Sequence, residues 1–77
     1  MNTSYTEEEN TFLKQLGNRI RELRISQSIS QERLAFICDL DRTYIGSVER
    51  GERNVSVLNL KKLSLSLDVS LSQFFEE

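Results

Sequence analysis

Apolar residues recur at helical spacing over the first third of the chain. Four of them follow one another at intervals of three and four residues, namely Leu13, Leu16, Ile20 and Leu23. That spacing places them on one face of an α-helix. Thr6 and Glu9 precede the stripe at the spacing of a capping box. We therefore expect the first helix to begin after Thr6 and to bury this face.

The segment from residue 31 to 50, QERLAFICDLDRTYIGSVER, has the pattern of two short helices joined by a tight turn. Ser30 and Asp41 stand where N-caps are needed, and Gly51 follows the second helix. Apolar residues occur where two crossed helices must touch, at Leu34, Ala35, Cys38, Leu40, Ile45 and Val48. Asp39 falls at a turn position that needs a left-handed backbone, which Asp tolerates. The pattern predicts a helix-turn-helix, whose second helix enters the major groove of DNA.

Two further helices are expected after this motif, one capped by Ser56 and a short one opened by a capping box at Ser70 and Gln73. Residues 63–72 alternate strictly between apolar and polar side chains, which taken alone is typical of a strand. A lone strand leaves its backbone unpaired, however, and no comparable partner strand is found elsewhere in the chain. As a helix, the segment places Val57, Leu60, Leu63 and Leu67 on one face. We predict a helix here, with a swapped or intermolecular strand as the alternative.

The predicted fold is therefore all-α, with five helices in a single domain over residues 1–77 and a helix-turn-helix at about 31–50. The composition excludes several classes of function. With one cysteine and no histidine, the chain cannot assemble a Cys/His zinc cluster, and it has no glycine-rich phosphate loop. We expect no metal, no cofactor, no small-molecule substrate and no enzymatic activity. No apolar run exceeds Leu34–Cys38, and the first ten residues lack the features of a signal peptide, so we expect a cytoplasmic protein without a membrane span.

The distribution of charge matters more than its total of −2. All ten Lys and Arg residues lie between Lys14 and Lys62, where the balance is +4, and each flanking segment carries −3. Screening limits the reach of each charge to about 10 Å at 0.1 M salt. Whether the protein attracts DNA therefore depends on the local potential of the face that docks, and not on the net charge. The acidic ends are compatible with DNA binding. They argue against an unspecific polycation.

Removing the apolar positions leaves several donors facing outward on the second helix of the motif, namely Arg42, Thr43, Tyr44, Ser47 and Arg50. Such side chains bond base edges and phosphates. Duplex DNA is therefore the predicted partner.

The segment Leu40–Ser56, LDRTYIGSVERGERNVS, resembles the recognition helix and following loop of the controller proteins of restriction–modification systems. These belong to the Cro/repressor-type, lambda-repressor-like helix-turn-helix family, and a weaker likeness extends over residues 19–75. The resemblance implies a five-helix homodimeric transcription factor that binds a palindromic operator. It also implies activation, then repression at higher concentration, of its own gene and the endonuclease gene. Activation would require a contact with RNA polymerase.

Carried over by position, Arg42 would read a base, since its guanidinium can bond guanine O6 and N7 together. Thr43 and Tyr44 would contact a base edge or the adjacent phosphates, although Tyr44 has the alternative role of covering the surface between helices. Gln31 would hold a phosphate at the N-terminus of its helix. Some relatives have Ser-Gly where this chain has Gly-Ser, which moves a hydroxyl to Ser47. The predicted DNA-binding residues are Gln31, Arg42, Thr43, Tyr44, Ser47, Arg53 and Asn54, the last two reaching the backbone or a neighbouring base.

Leu58 and Leu65 are seven residues apart and lie opposite the buried stripe of the fourth helix. With Phe74 and Phe75 they form an apolar surface that we expect to be covered. We predict that these four residues form a homodimer interface about a two-fold axis. The alternative is that the two phenylalanines only close the monomer core.

Two other functions fit the same pattern. A generic Cro/repressor-type or antitoxin-type repressor would share every DNA-facing residue. A protein-interaction module that uses this fold without DNA would bind its partner with no comparable dependence on salt.

Overall fold

The computed structural model describes residues 5–76. It contains four α-helices, α1 (Glu7–Ser26), α2 (Gln31–Cys38), α3 (Arg42–Glu49) and α4 (Val57–Leu67), followed by a 3-10 helix (Leu71–Phe75). No strand occurs among the described residues, so the prediction of an all-helical fold is confirmed. The predicted count of five helices needs correction, because the last element is a single short 3-10 helix. None of the helices in this part of the chain is long and apolar enough to span a membrane.

Side-chain caps begin the helices where the sequence indicated. Thr6 Oγ1 accepts from the backbone N–H of Glu9 at 3.0 Å, and the carboxylate of Glu9 accepts from the N–H of Thr6 at 2.9 Å. Ser30 and Ser56 each cap the residue three positions later, at 3.0 and 3.1 Å. These bonds satisfy N–H groups that have no partner within the helix. The predicted helix starts are confirmed.

Two aspartates in the left-handed conformation end helices. Asp39 has φ 56° and ψ 47° and terminates α2, as the turn of the motif requires. Asp68 has nearly the same angles and terminates α4. Residues 63–67 are therefore helical, and the alternating segment 63–72 forms no strand. The prediction of a helix is confirmed up to Leu67.

The core is one cluster to which every helix contributes. Its buried apolar residues are Leu16, Ile20, Leu34, Ala35, Cys38, Ile45, Val48, Leu60, Leu63, Leu67 and Phe74, and Leu23 and Leu40 pack against it. α1 and α3 approach closely at Gly17, where an added Cβ would lie 2.2 Å from the carbonyl oxygen of Val48. Only glycine allows this contact between the two backbones.

The 3-10 helix folds back onto α1 and corrects one prediction. Phe74 is 1% exposed and belongs to the core, so it is not available to the proposed dimer interface. Successive residues of a 3-10 helix are turned by about a third of a revolution, so Phe74 faces inward and Phe75 outward. Phe75 stacks on Phe12, with ring centroids 6.0 Å apart. Arg19 Nε donates to the carbonyl of Gln73 at 2.8 Å and ties the element to α1.

Candidate nucleic-acid interface

The first turn of α3 is exposed and presents two of the predicted residues. Asp41 caps the helix by accepting from the backbone N–H of Thr43 at 2.8 Å. The N–H of Thr43 is therefore occupied, and only its side chain is free for a ligand. Arg42 is exposed and forms no hydrogen bond or ion pair with any residue from 5 to 76. Its full set of guanidinium donors remains available.

Tyr44 covers the surface between helices, which is the alternative role considered for it. Its ring is partly buried and packs against the core, and its hydroxyl accepts from Asn59 Nδ2 at 3.1 Å. Because this bond uses a lone pair, the phenolic hydrogen remains free to donate. Asn59 was missed at the sequence level. It is the third residue of α4, and nothing in its local pattern indicates that α4 and α3 meet there.

Ser47 does not lie where the sequence indicated. It is 5% exposed, so the expectation that its side chain faces outward is wrong. Its hydroxyl donates to the carbonyl of Tyr44 at 2.8 Å and accepts from Arg53 Nε at 3.1 Å. The residues after α3 fold over its last turn and cover a position that an isolated helix would leave exposed.

Arg53 and Asn54 lie in the exposed loop between α3 and α4. The guanidinium of Arg53 also lies over the ring of Tyr44, with its central carbon 5.5 Å from the ring centroid. This is a cation–π arrangement. The structure therefore brings Tyr44, Ser47 and Arg53 together in one contiguous group.

Gln31 is linked to the end of α3 by a polar network centred on Glu49. Its Nε2 donates to Glu49 Oε1 at 3.0 Å. The same carboxylate accepts from Arg24 Nε at 2.6 Å and from Arg24 Nη2 at 3.0 Å. The hydrogen bond and charge of Glu49 raise the pKa of Arg24 against the opposing effect of burial. The network fixes the start of α2 against the end of α3.

The arginines on and after α3 differ in whether their charge is free to bind DNA. Arg50 Nε lies 3.0 Å from Glu52 Oε2, and both side chains are more than half exposed. Arg50 holds the pKa of the Glu52 carboxyl below its usual value, mainly through this hydrogen bond. Its positive charge is thus offset locally. Arg42 and Arg53 form no ion pair with a described residue, so they are the better candidates for phosphate or base contacts.

The predicted dimer residues divide into two groups. Leu58 is 72% and Leu65 70% exposed, on the outer side of α4. Phe75 is also exposed, whereas Phe74 is buried. Among residues 5–76, no cluster of His, Cys, Asp and Glu side chains has an arrangement that would hold a metal ion.

A capped helix, a left-handed turn and a second helix with an exposed N-terminal arginine define a helix-turn-helix module for double-stranded DNA. The comparisons with known proteins agree. The helix-turn-helix family matches residues 20–74. Control protein C.BamHI of Bacillus amyloliquefaciens is 56% identical over 54 residues, which cover 69% of this chain and 67% of that protein.

Solved structures give the same result. The restriction–modification controller protein C.AhdI from Aeromonas hydrophila superposes with a TM-score of 0.81 at 51% identity, covering 82% of this chain and 96% of that one. The restriction–modification controller protein C.Esp1396I, solved as a tetramer in complex with its natural 35 base-pair operator, gives a TM-score of 0.76 at 36% identity, covering 83% and 84%. The chain therefore belongs to the restriction–modification controller proteins, a group of DNA-binding regulators within the helix-turn-helix family.

Proposed function

We propose that this protein binds a palindromic operator as a homodimer and regulates its own promoter and that of the associated endonuclease gene, activating first and repressing at higher concentration. The observation that carries the proposal is the exposed first turn of α3, where Arg42 is free of protein partners among the described residues. Similarity to the control proteins supports it.

Apart from Ser47, which is buried, each predicted contact has a chemistry that the geometry permits. Arg42 reads a base edge, and the bidentate bond to guanine discriminates by about 1–3 kcal/mol. Thr43 contributes its hydroxyl, because its N–H is already taken by Asp41. Tyr44 donates its phenolic hydrogen. Arg53 and Asn54 reach the DNA backbone or a neighbouring base beyond the end of α3.

Gln31 anchors the start of α2 rather than reaching freely toward the DNA. One N–H of its carboxamide is bonded to Glu49. Its backbone N–H, in the first turn of α2, is left to hold a phosphate, where the helix dipole favours an anion. The predicted phosphate contact is thus compatible with the side-chain bond.

Dimerisation would use the outer face of α4. Leu58 and Leu65 form an exposed apolar pair on that face, and an isologous contact between two copies would cover both. Two α3 helices about 34 Å apart would then enter successive major grooves on one side of the duplex. One domain, with its helix-turn-helix at about residues 31–50, would carry both DNA binding and dimerisation. The operator complex of C.Esp1396I supports an assembled regulator.

Such a regulator acts in the cytoplasm and requires no metal, cofactor or small-molecule substrate. Activation would add a contact with RNA polymerase. The protein would not be an enzyme, because its work is done by binding alone.

Selection of bound duplexes from a random pool tests the proposal. We expect a consensus with two-fold symmetry, whose affinity falls with salt by about 0.9 logarithmic units per decade for each phosphate contacted. An asymmetric consensus would contradict the dimer. Failure to enrich any sequence, or binding that is independent of salt, would favour a protein-interaction module instead.

A further inference from the structure

The side chain of Ser47 links the last turn of α3 to the loop that follows it. The hydroxyl is buried and bonds both Tyr44 and Arg53. We propose that Ser47 is a positioning residue, which holds the guanidinium of Arg53 ready to clamp a DNA phosphate beside the recognition helix. The proposal rests on the DNA-binding function proposed above and assigns Ser47 no contact with DNA.

The direction of the two hydrogen bonds follows from the chemistry of the hydroxyl. Its single hydrogen is given to the carbonyl of Tyr44 at 2.8 Å, so only its lone pairs face Arg53. It therefore accepts from Arg53 Nε at 3.1 Å. Both Nη groups of Arg53 remain free to bind a ligand, because they donate to no residue in the range 5–76. Two parallel N–H groups on one edge of a guanidinium match a phosphate in bidentate fashion.

The backbone before Arg53 is fixed as well. The N–H of Glu52 donates to the carbonyl of Ser47 at 2.9 Å, and that of Gly51 to the carbonyl of Val48 at 3.0 Å. Together these bonds form a Schellman motif. Gly51 has φ 78°, and an added Cβ would lie 2.6 Å from the Cα of Lys14. The loop is therefore held against α1 at the residue where a side chain would not fit.

With the backbone fixed as far as Glu52, the side-chain torsions of Arg53 are the freedom that a bond to Ser47 can restrict. An exposed arginine loses rotamer freedom when it binds a phosphate, and this loss weakens binding. The bond to Ser47 and the ring of Tyr44 restrict those torsions in the free protein. Ser47 thus contributes to affinity through Arg53, because part of the ordering has already occurred before DNA arrives.

The experiment compares Ser47→Ala with Ser64→Ala as a matched control. Ser64 is also buried in a helix, at 4% exposure, and its hydroxyl also donates to the carbonyl three residues earlier, at 2.9 Å. It bonds no arginine. The probe is the duplex that the wild-type chain selects from a random pool. We expect Ser47→Ala to weaken binding about two- to tenfold, the range of one net hydrogen bond, and Ser64→Ala to bind as wild type.

Non-additivity separates a positioning role from a direct contact. Arg53→Ala should reduce the salt slope by about 0.9, the value for one phosphate. Ser47→Ala should leave the slope unchanged, because Arg53 is still present. In the Arg53→Ala background, Ser47→Ala should cause no further loss. An equal loss in both backgrounds would overturn the proposal and indicate that Ser47 contacts DNA directly.

Thermal melting and two further variants guard against a folding artefact. Ser47→Thr retains the hydroxyl and should bind more tightly than Ser47→Ala. Arg53→Lys leaves the buried site untouched but removes the Nε–H, so it should lose affinity while keeping the salt slope. Wild-type affinity in Ser47→Ala or in Arg53→Lys would overturn the proposal. A wild-type chain that selects no duplex would instead overturn the DNA-binding function, and this proposal with it.

Discussion

Arg24 and Glu49 form a buried ion pair that joins α1 to the end of the recognition helix. The Arg24 Nε lies 2.6 Å from Glu49 Oε2, and the two side chains are only 10% and 3% exposed. Arg24 Nη1 also donates to the carbonyl of Ile29 at 2.7 Å, and Gln31 donates to the same carboxylate. The pair therefore sets how α1, α2 and α3 lie relative to one another.

Removing one partner of this pair should destabilise the fold strongly. Glu49→Ala leaves the guanidinium of Arg24 buried without its counter-charge, a change that typically lowers the free energy of unfolding by about 3–5 kcal/mol. The total free energy of unfolding of a domain of this size is about 5 kcal/mol or little more. We expect urea denaturation to show a largely unfolded or barely stable variant at 25 °C.

Two controls accompany this prediction. The double variant Arg24→Met with Glu49→Leu removes both charges and should recover much of the lost stability, because well-packed apolar groups replace a buried pair at little cost. Glu52→Ala breaks the exposed pair with Arg50 and should leave the urea midpoint unchanged within error. Equal losses in Glu49→Ala and Glu52→Ala would contradict the importance of burial.

Two buried glycines should respond differently to alanine. In Gly17→Ala the new Cβ would meet the backbone carbonyl of Val48 at 2.2 Å, so α1 and α3 must move apart. We expect a loss of about 3 kcal/mol or more in the free energy of unfolding, at or beyond the usual range for overpacking. In Gly46→Ala the nearest atoms are the ends of two flexible side chains, of Arg50 at 3.2 Å and Gln31 at 3.6 Å.

The helical preference of alanine over glycine, about 1 kcal/mol, should offset that crowding, so Gly46→Ala should be nearly as stable as wild type. Chemical denaturation of both variants under the same conditions tests the pair. A tolerated Gly17→Ala would show that the close approach of the two backbones is not required.

Arg42 and Gln31 should affect recognition in different ways. Arg42→Ala removes the donor predicted to read a base, so it should relax the preference at one symmetric pair of operator positions. Gln31→Ala removes the side-chain bond to Glu49 that anchors the start of α2. The backbone N–H that holds a phosphate there is then less well positioned, so all sites should weaken alike. Selection from a random duplex pool with each variant distinguishes the two. A uniform loss with Arg42→Ala would reassign that residue to the DNA backbone.

Local signals allowed most of the fold to be predicted from the sequence. Caps at Thr6, Ser30, Asp41 and Ser56 depend on residues within three positions of the helix start, so their pattern is visible in the chain itself. The left-handed turn at Asp39 is equally local. For the alternating segment 63–72, a helix is predicted only when the whole chain is considered. A strand there would have no partner strand and could not satisfy its backbone.

The errors concern positions whose environment depends on distant contacts. Ser47 was expected to face outward because an isolated helix leaves it uncovered, yet the loop carrying Arg53 folds over it. Phe74 was expected at the surface, but the 3-10 geometry turns it into the core. The bond between Tyr44 and Asn59 crosses 15 residues of sequence. No periodicity encodes such a contact.

Cys38 should make stability fall at alkaline pH. Burial raises the pKa of its thiol above the ordinary value of 9.0, against smaller opposing effects that include the charge of Lys62 and a bond to Ser66. The unfolded chain then ionises before the folded one. The contribution is fully present below about pH 9 and is lost as pH rises from there toward the folded pKa.

Urea denaturation from about pH 8 to about pH 10 tests this, with Cys38→Ala as the reference. The wild type should lose more stability over that interval than the variant, whose other titrating groups are the same. Parallel curves for the two proteins would mean that the thiol has the same pKa in both states.

Leu65 should control the assembly of the protein. Leu65 and Leu58 are both exposed on α4. A charge placed in the centre of an apolar interface cannot be solvated there. Leu65→Asp should therefore convert the dimer to a monomer in sedimentation velocity experiments. DNA affinity should fall as well, because a monomer reaches only one half-site.

Ile25→Asp is the matched control, since it places the same charge at another exposed apolar position, on α1. We expect it to sediment as wild type. Both variants should retain the helical circular dichroism of the wild type, because neither side chain belongs to the buried core. A Leu65→Asp protein that still sediments as a dimer of unchanged affinity would remove the outer face of α4 from the interface. The exposed ring of Phe75, stacked on Phe12, would then be the next apolar surface to test by the same substitution.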